Sequence, residues 1–120
     1  MNHSIKSIRP FIGAKNFEVS RSFYRDLGFE EVVLESNFSV FKSGDTAFYL
    51  QDYYDKNWIE NTMIFLEVDD AERYYNELFA LNLTEKYGVK LTPTRHLDWG
   101  SECFLHDPSG VLWHFGTFKK

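Results

Sequence analysis

A chain of 120 residues can build one packed domain but not two independent ones. Hydrophobic residues make up 43% and charged residues 26%, as in an ordinary globular protein, and a net charge of −5 excludes the basic surface that nucleic acid demands. No apolar run reaches the roughly 18 residues of a membrane helix, the segment MNHSIKSIRPF lacks the apolar stretch of a signal peptide, and the single cysteine, Cys103, leaves no intrachain disulfide. A cytoplasmic protein without nucleic-acid or membrane partners is expected.

Residues 7–13 (SIRPFIG) alternate and read as a strand at a sheet edge, because Pro10 has no amide to donate. Asn16 is placed to cap a helix over 17–27, with Gly28 as its stop and Val19, Ser20, Phe23, Tyr24 and Leu27 on the buried side. Strands follow at about 29–35, 38–42 and 46–51, the last two joined by a Ser43-Gly44-Asp45 turn. Residues 52–61 form a polar and aromatic connection.

The pattern then starts again. Residues 63–68 (MIFLEV) read as a strand, and Asp69 or Asp70 caps a helix over about 71–82 with Ala71, Tyr74, Tyr75 and Leu78 inward. A strand near 88–94 carries Pro93, and a hairpin pairs 101–106 with 111–116 across Asp107-Pro108-Ser109-Gly110. The chain is thus a single domain over 1–120 holding two βαβββ units: about 5–51, the connection 52–61, and about 62–118. The segment VSRSFYRDL from Val19 aligns with DAERYYNEL from Asp70, and residues 44–49 align with 109–114. Alternation puts Phe48, Leu50, Ile64, Leu66 and Val68 toward helices, and Tyr49, Gln51, Met63, Phe65 and Glu67 on the opposite face.

Twelve Phe and seven Tyr raise the aromatic fraction to 18%, more than a small core needs, so some rings are expected to line a pocket or interface. Trp113, Phe104 and Phe115 are read as core.

The pattern S-x-x-F-Y-x-x-L-G-F over residues 20–29, followed late by W-G and D-P-x-G within residues 99–110, resembles the vicinal-oxygen-chelate superfamily. That superfamily includes glyoxalase I, extradiol dioxygenases, fosfomycin-modifying enzymes and bleomycin-resistance proteins. The resemblance implies an α+β fold of two βαβββ modules, whose curved sheets form a cleft with helices on the outer face. It also implies a homodimer.

Metal-dependent members carry four ligands on cleft-facing strands, and the resemblance places those positions at Arg9, Tyr49, Met63 and His114. Only His114 suits a divalent metal that acts as a Lewis acid: Arg9 is a permanent cation and Met63 is too soft. A displaced set from His96, Glu102, Cys103 and His106 does not converge, because the expected hairpin pairing turns Glu102 and His106 away from Cys103 and His114. His3 is read as a bystander. No metal and no cofactor are therefore expected.

The remaining expectation is a small-molecule site of the bleomycin-resistance type, sequestering a partly aromatic, cationic ligand at a dimer interface. Its expected lining is Arg9, Phe38, Tyr49, Trp58, Phe65, Glu67, Trp99, Cys103 and His114. By the resemblance, Phe38 matches a ring that stacks on ligand and Trp99 the Trp of the W-G motif. Several residues keep two readings. Phe38 is a ligand ring or an ordinary sheet aromatic. Trp58 lies among Asp52, Tyr53, Tyr54, Asp55 and Glu60, and either faces a cation or packs its own loop. Arg9 pairs with Glu67 or meets an anionic ligand. Cys103 is a buried thiol or, beside His114, a nucleophile. No catalytic residue is assigned, and a binding protein is preferred to an enzyme. The alternative is a metal-dependent lyase or oxidoreductase of the glyoxalase or dioxygenase type.

Overall fold

The computed structural model describes residues 4–120; His3 lies outside the described residues. The chain forms two four-stranded mixed sheets of identical topology, so the repeat read from sequence is a repeat of architecture. The first sheet takes β1 (Phe11–Gly13), β2 (Glu30–Glu35), β3 (Phe38–Ser43) and β4 (Thr46–Gln51) in the order β1-β4-β3-β2. The second takes β5 (Met63–Glu67), β6 (Leu91–His96), β7 (Gly100–His106) and β8 (Leu112–Phe118) in the order β5-β8-β7-β6. In each, the outer strand β1 or β5 runs parallel to its neighbour and the other pairs are antiparallel. Among the described residues, no helix is long and apolar enough to cross a membrane.

Helix α1 (Phe17–Asp26) begins where the Asn16 side chain accepts the Val19 amide and ends at Leu27, before Gly28 turns the chain at φ 109°. It buries Phe17, Ser20, Phe23 and Tyr24, whereas Val19 stays partly exposed. Helix α3 (Ala71–Ala80) begins in the same way, Asp70 accepting the Arg73 amide. Both caps are local and follow from the residue types.

Several boundaries differ from expectation for identifiable reasons. The first strand is only Phe11–Gly13, and residues 4–10 are exposed. Pro10 keeps one ladder bond, its carbonyl accepting the Tyr49 amide. The connection holds a short helix, α2 (Lys56–Ile59), capped by Asp55 and anchored by the buried Ile59. A further helix, α4 (Leu83–Tyr87), fills the stretch just before the strand expected at 88–94, and its cap at Gly88 delays that strand to Leu91. Asn82, left-handed at φ 54°, turns the chain between α3 and α4, and Gly88 ends α4 at φ 68°. Tyr87 and Lys86 of α4 bind Asp26 of α1. The β6–β7 register slips between Thr92 and Arg95, around Pro93.

The last hairpin differs most consequentially. His106 pairs with Leu112, not with Val111. The loop therefore spans five residues, 107–111, and every partner in β8 moves by one relative to expectation. A one-residue slip exchanges the two faces of a strand pair. Phe104, expected in the core, thus stands opposite His114 on the open face. Cys103 pairs with Phe115 and is fully buried.

The core runs between the sheets' inner faces and the helices. Tyr24, Phe29, Phe41, Phe48 and Trp113 meet there ring on ring, and Trp113 Nε1 donates to Tyr24 Oη at 2.9 Å. Trp113 and Phe115 are core, as the alternation implies.

Candidate functional site

The open face of the first sheet carries three stacked rings. Tyr49 on β4 lies 4.7 Å from Phe11 and 5.2 Å from Phe38, and Phe11 lies 5.9 Å from Phe38. The pairing Phe11↔Tyr49 and Phe38↔Gln51 puts these side chains on one face. Arg9 reaches over them: its Nη1 donates to Tyr49 Oη at 3.2 Å, and its guanidinium lies 5.8 Å from the ring centre. The expected Arg9–Glu67 pair is not formed: Arg9, just before β1, engages Tyr49 of the first sheet, whereas Glu67 lies on β5 of the second. An open pocket of about 510 Å³ borders the stack, lined by Phe11, Phe38, Tyr53 and the polar Glu35, Asn37, Gln51 and Asp52.

The second sheet carries a patch of its own. Phe65 on β5 lies 5.6 Å from Phe118 and 6.1 Å from Trp99, and Trp99 lies 5.4 Å from Phe118. These three rings are 38 to 51% exposed. The seat for Phe65 is made by Gly116, where any Cβ would collide with the ring. Trp99 sits on a tight turn closed by Leu97 and Gly100, which exchange backbone hydrogen bonds, and its carbonyl accepts the Lys119 amide. A contiguous apolar patch of this kind marks a contact surface more often than a scatter of single exposed rings does.

Beneath the patch lies a polar group. His114 stacks 6.5 Å from Phe65, with Phe104 edge-on at 4.8 Å. Its Nδ1 lies 3.1 Å from Glu102 Oε1, and Arg95 donates to Glu102 Oε2 at 3.0 Å. Glu102 is only 5% exposed, so its charge requires these partners. The expected separation of Glu102 from His114 is overturned: the observed register puts Glu102, Phe104, His106, His114 and Gly116 on one face. Cys103 points the other way, its Sγ 4.0 Å from the Ala71 carbonyl. Burial pushes its thiol up to about 11, so it is no nucleophile at neutral pH and no partner of His114.

The structure therefore sorts the expected residues into two groups and sets three aside. Phe38, Tyr49 and Arg9 gather on the first sheet, and Phe65, Trp99 and His114 on the second. Among the described residues no ring contact joins the groups, although a groove of about 700 Å³ between residues 7–10 and β5 is lined by both Arg9 and Phe65. Glu67 is exposed on β5, Cys103 is core, and Trp58 packs against Gly13 and Tyr53 in the connection. Sequence reading missed Phe11, Phe104, Phe118, Glu102 and Arg95. Period-two spacing from His114 reaches Phe118 and was the available signal; Glu102 and Phe104 needed the register.

The four metal positions do not fit a metal. Arg9 and Tyr49 satisfy each other and Met63 is a thioether, so His114, whose Nδ1 faces Glu102, has no second ligand among these positions. Among the described residues, no three His, Cys, Asp or Glu side chains converge as a ligand set.

A family model described as Glyoxalase/Bleomycin resistance protein/Dioxygenase superfamily matches residues 4–115. Among solved structures, the chain is similar to a bleomycin-binding protein from the bleomycin-producing Streptomyces verticillus, complexed with copper(II)-bleomycin: 23% identity, TM-score 0.81, covering 99% of this chain and 100% of that one. It is also similar to a bleomycin-binding protein complexed with bleomycin, at 19% identity and TM-score 0.80, over 96% and 100%. A lactoylglutathione lyase from Agrobacterium tumefaciens matches at 19% identity and TM-score 0.70, over 96% of each chain. At these identities the likeness carries the fold alone. A search of curated proteins found no match.

Proposed function

The chain belongs to the Glyoxalase/Bleomycin resistance protein/Dioxygenase superfamily, and on that premise we propose that it is a metal-free cytoplasmic binding protein, not an enzyme. It sequesters a flat, partly aromatic, cationic small molecule at the interface of a homodimer. The observation that carries this reading is the exposed patch of Phe65, Trp99 and Phe118. Flat rings bind by stacking and desolvation, and a patch this open leaves both to a ligand or a partner. Glu35 and Asp52 beside Phe11 and Phe38 supply the negative charge that suits a cation.

The homodimer is supported by the division of the rings. Each sheet presents its own aromatic group and neither group covers the other. A second copy sets the first-sheet stack of one protomer against the second-sheet patch of its partner, and so buries both. The donor chemistry at Arg9, Tyr49, Met63 and His114 supports the metal-free part of the reading.

Bleomycin is the first probe, because two solved relatives of this fold are bleomycin-binding proteins. Titration followed by tryptophan fluorescence is expected to give saturable quenching that Trp99→Phe largely removes. No response at high micromolar bleomycin would rule out that antibiotic as ligand. Stoichiometric binding of nickel, zinc, manganese or iron(II), abolished by His114→Ala, would overturn the metal-free reading.

A further inference from the structure

We propose that His114 is the specificity residue of the second-sheet patch, held by Glu102 in the tautomer that accepts a hydrogen bond from a ring N–H or O–H of the ligand. This rests on the binding reading above and names the ligand class for that site: an aromatic heterocycle or phenol with a hydrogen-bond donor in the plane of its ring.

The chain of contacts to His114 starts at Arg95. Its guanidinium lies 4.9 Å from the Phe104 ring centre and donates to Glu102 Oε2 at 3.0 Å. Ion-paired there and nearly fully buried, Glu102 is acceptor-only and turns its second oxygen, Oε1, to His114 Nδ1 at 3.1 Å. A carboxylate accepts, so Nδ1 carries the proton. In a neutral imidazole the other nitrogen is then an acceptor. Nε2 has no protein partner among the described residues and is not among their buried polar atoms, so it is open to solvent. The ring stacks with Phe65, which also touches Trp99. A flat ligand lying on Phe65 thus meets His114 at the next ring of the stack, and the open nitrogen of that ring is an acceptor.

The probes are indole, whose ring nitrogen only donates, and quinoline, whose ring nitrogen only accepts. Both are titrated by ligand-observed NMR at pH ~8. Indole is expected to bind the wild-type protein roughly three- to tenfold more tightly than quinoline, the size of one net hydrogen bond. In Glu102→Gln the order is expected to reverse. There the amide oxygen takes the Arg95 donor, the amide NH₂ faces Nδ1, and the proton moves to Nε2.

A purely structural Glu102 would weaken both probes alike and leave their ratio unchanged, which would overturn the proposal. The nitrogen-15 spectrum of the wild-type imidazole reads the tautomer whether or not the variant folds, and a protonated Nε2 also overturns it. Equal binding of both probes to the wild type removes this inference alone. Binding of neither removes the aromatic-site reading, and this inference with it.

Discussion

The Asp107 carboxylate accepts a hydrogen bond from the Val111 amide at 2.9 Å, and the Asp107 amide donates to the Val111 carbonyl at the same distance. Asp107 Oδ1 also accepts the Ser109 amide, and Oδ2 accepts Tyr24 Oη at 2.6 Å. This closure makes the last hairpin loop five residues long. It thereby places His114 beside Glu102 and Phe104 and leaves Cys103 in the core.

Asp107→Ala is expected to destabilise the protein by about 3 kcal/mol, since it leaves two buried amides and a buried hydroxyl without their acceptor. Asp107→Asn keeps an oxygen for both amides and should cost nearer to about 1 kcal/mol. Urea unfolding gives the difference, and amide exchange at Val111 should speed up in the alanine variant alone.

Stability should respond to acid with two opposed contributions. Burial works against the Glu31 charge, but hydrogen bonds from Arg21, Ser39 and Arg25 outweigh it and hold the carboxyl below its usual value. Glu31 therefore contributes stability above its unfolded value, about 4.3, and that stability is lost as pH falls through the lower folded value. Burial pushes the Asp107 carboxyl up, against the pull of the Tyr24 hydroxyl and the loop amides. Its contribution is full below about 3.9 and is lost as pH rises through the folded value. Urea midpoints between pH ~7 and ~3 should fall less in Glu31→Gln than in wild type, and more in Asp107→Asn. Parallel profiles for all three proteins would contradict this assignment.

Gly116→Ala should displace the Phe65 ring, whose atoms occupy the space of the added methyl. Phe65 is 44% exposed, so the ring can swing outward at a cost of about 1 kcal/mol or less. Near-UV circular dichroism from the Trp99 patch is expected to change and indole affinity to drop several-fold, with the far-UV spectrum intact.

Cys103 should be inert in the folded protein. It is fully buried, and its thiol is pushed up to about 11. A chromogenic disulfide reagent at pH ~8 is expected to titrate no thiol before urea is added and one per chain afterwards. Rapid reaction of the native protein would return Cys103 to an accessible face.

Much of the fold was legible because the signals are local. Asn16 and Asp70 cap helices through bonds to residues three positions on. Alternation in β4 and β5 placed Phe48 and Leu50 inward and Tyr49 and Phe65 outward. Helix α4 was not legible, since its start depends on Asn82 adopting a left-handed conformation that few residues take and none announces. Trp58 gave no sign of its direction, because Gly13, 45 residues away, supplies the space it fills.

By itself, the sequence determined two βαβββ units, their helix caps and the outward rings Tyr49 and Phe65. These follow from residue type and from spacing within one element. Only the tertiary structure decided which face His114 shares, and with whom. That choice rests on a loop length of four residues or five. The longer loop is held by a buried carboxylate whose other oxygen binds Tyr24, on a helix 83 positions earlier. Spacing within a strand sets its period, but the zero of that period is set by contacts from elsewhere in the chain.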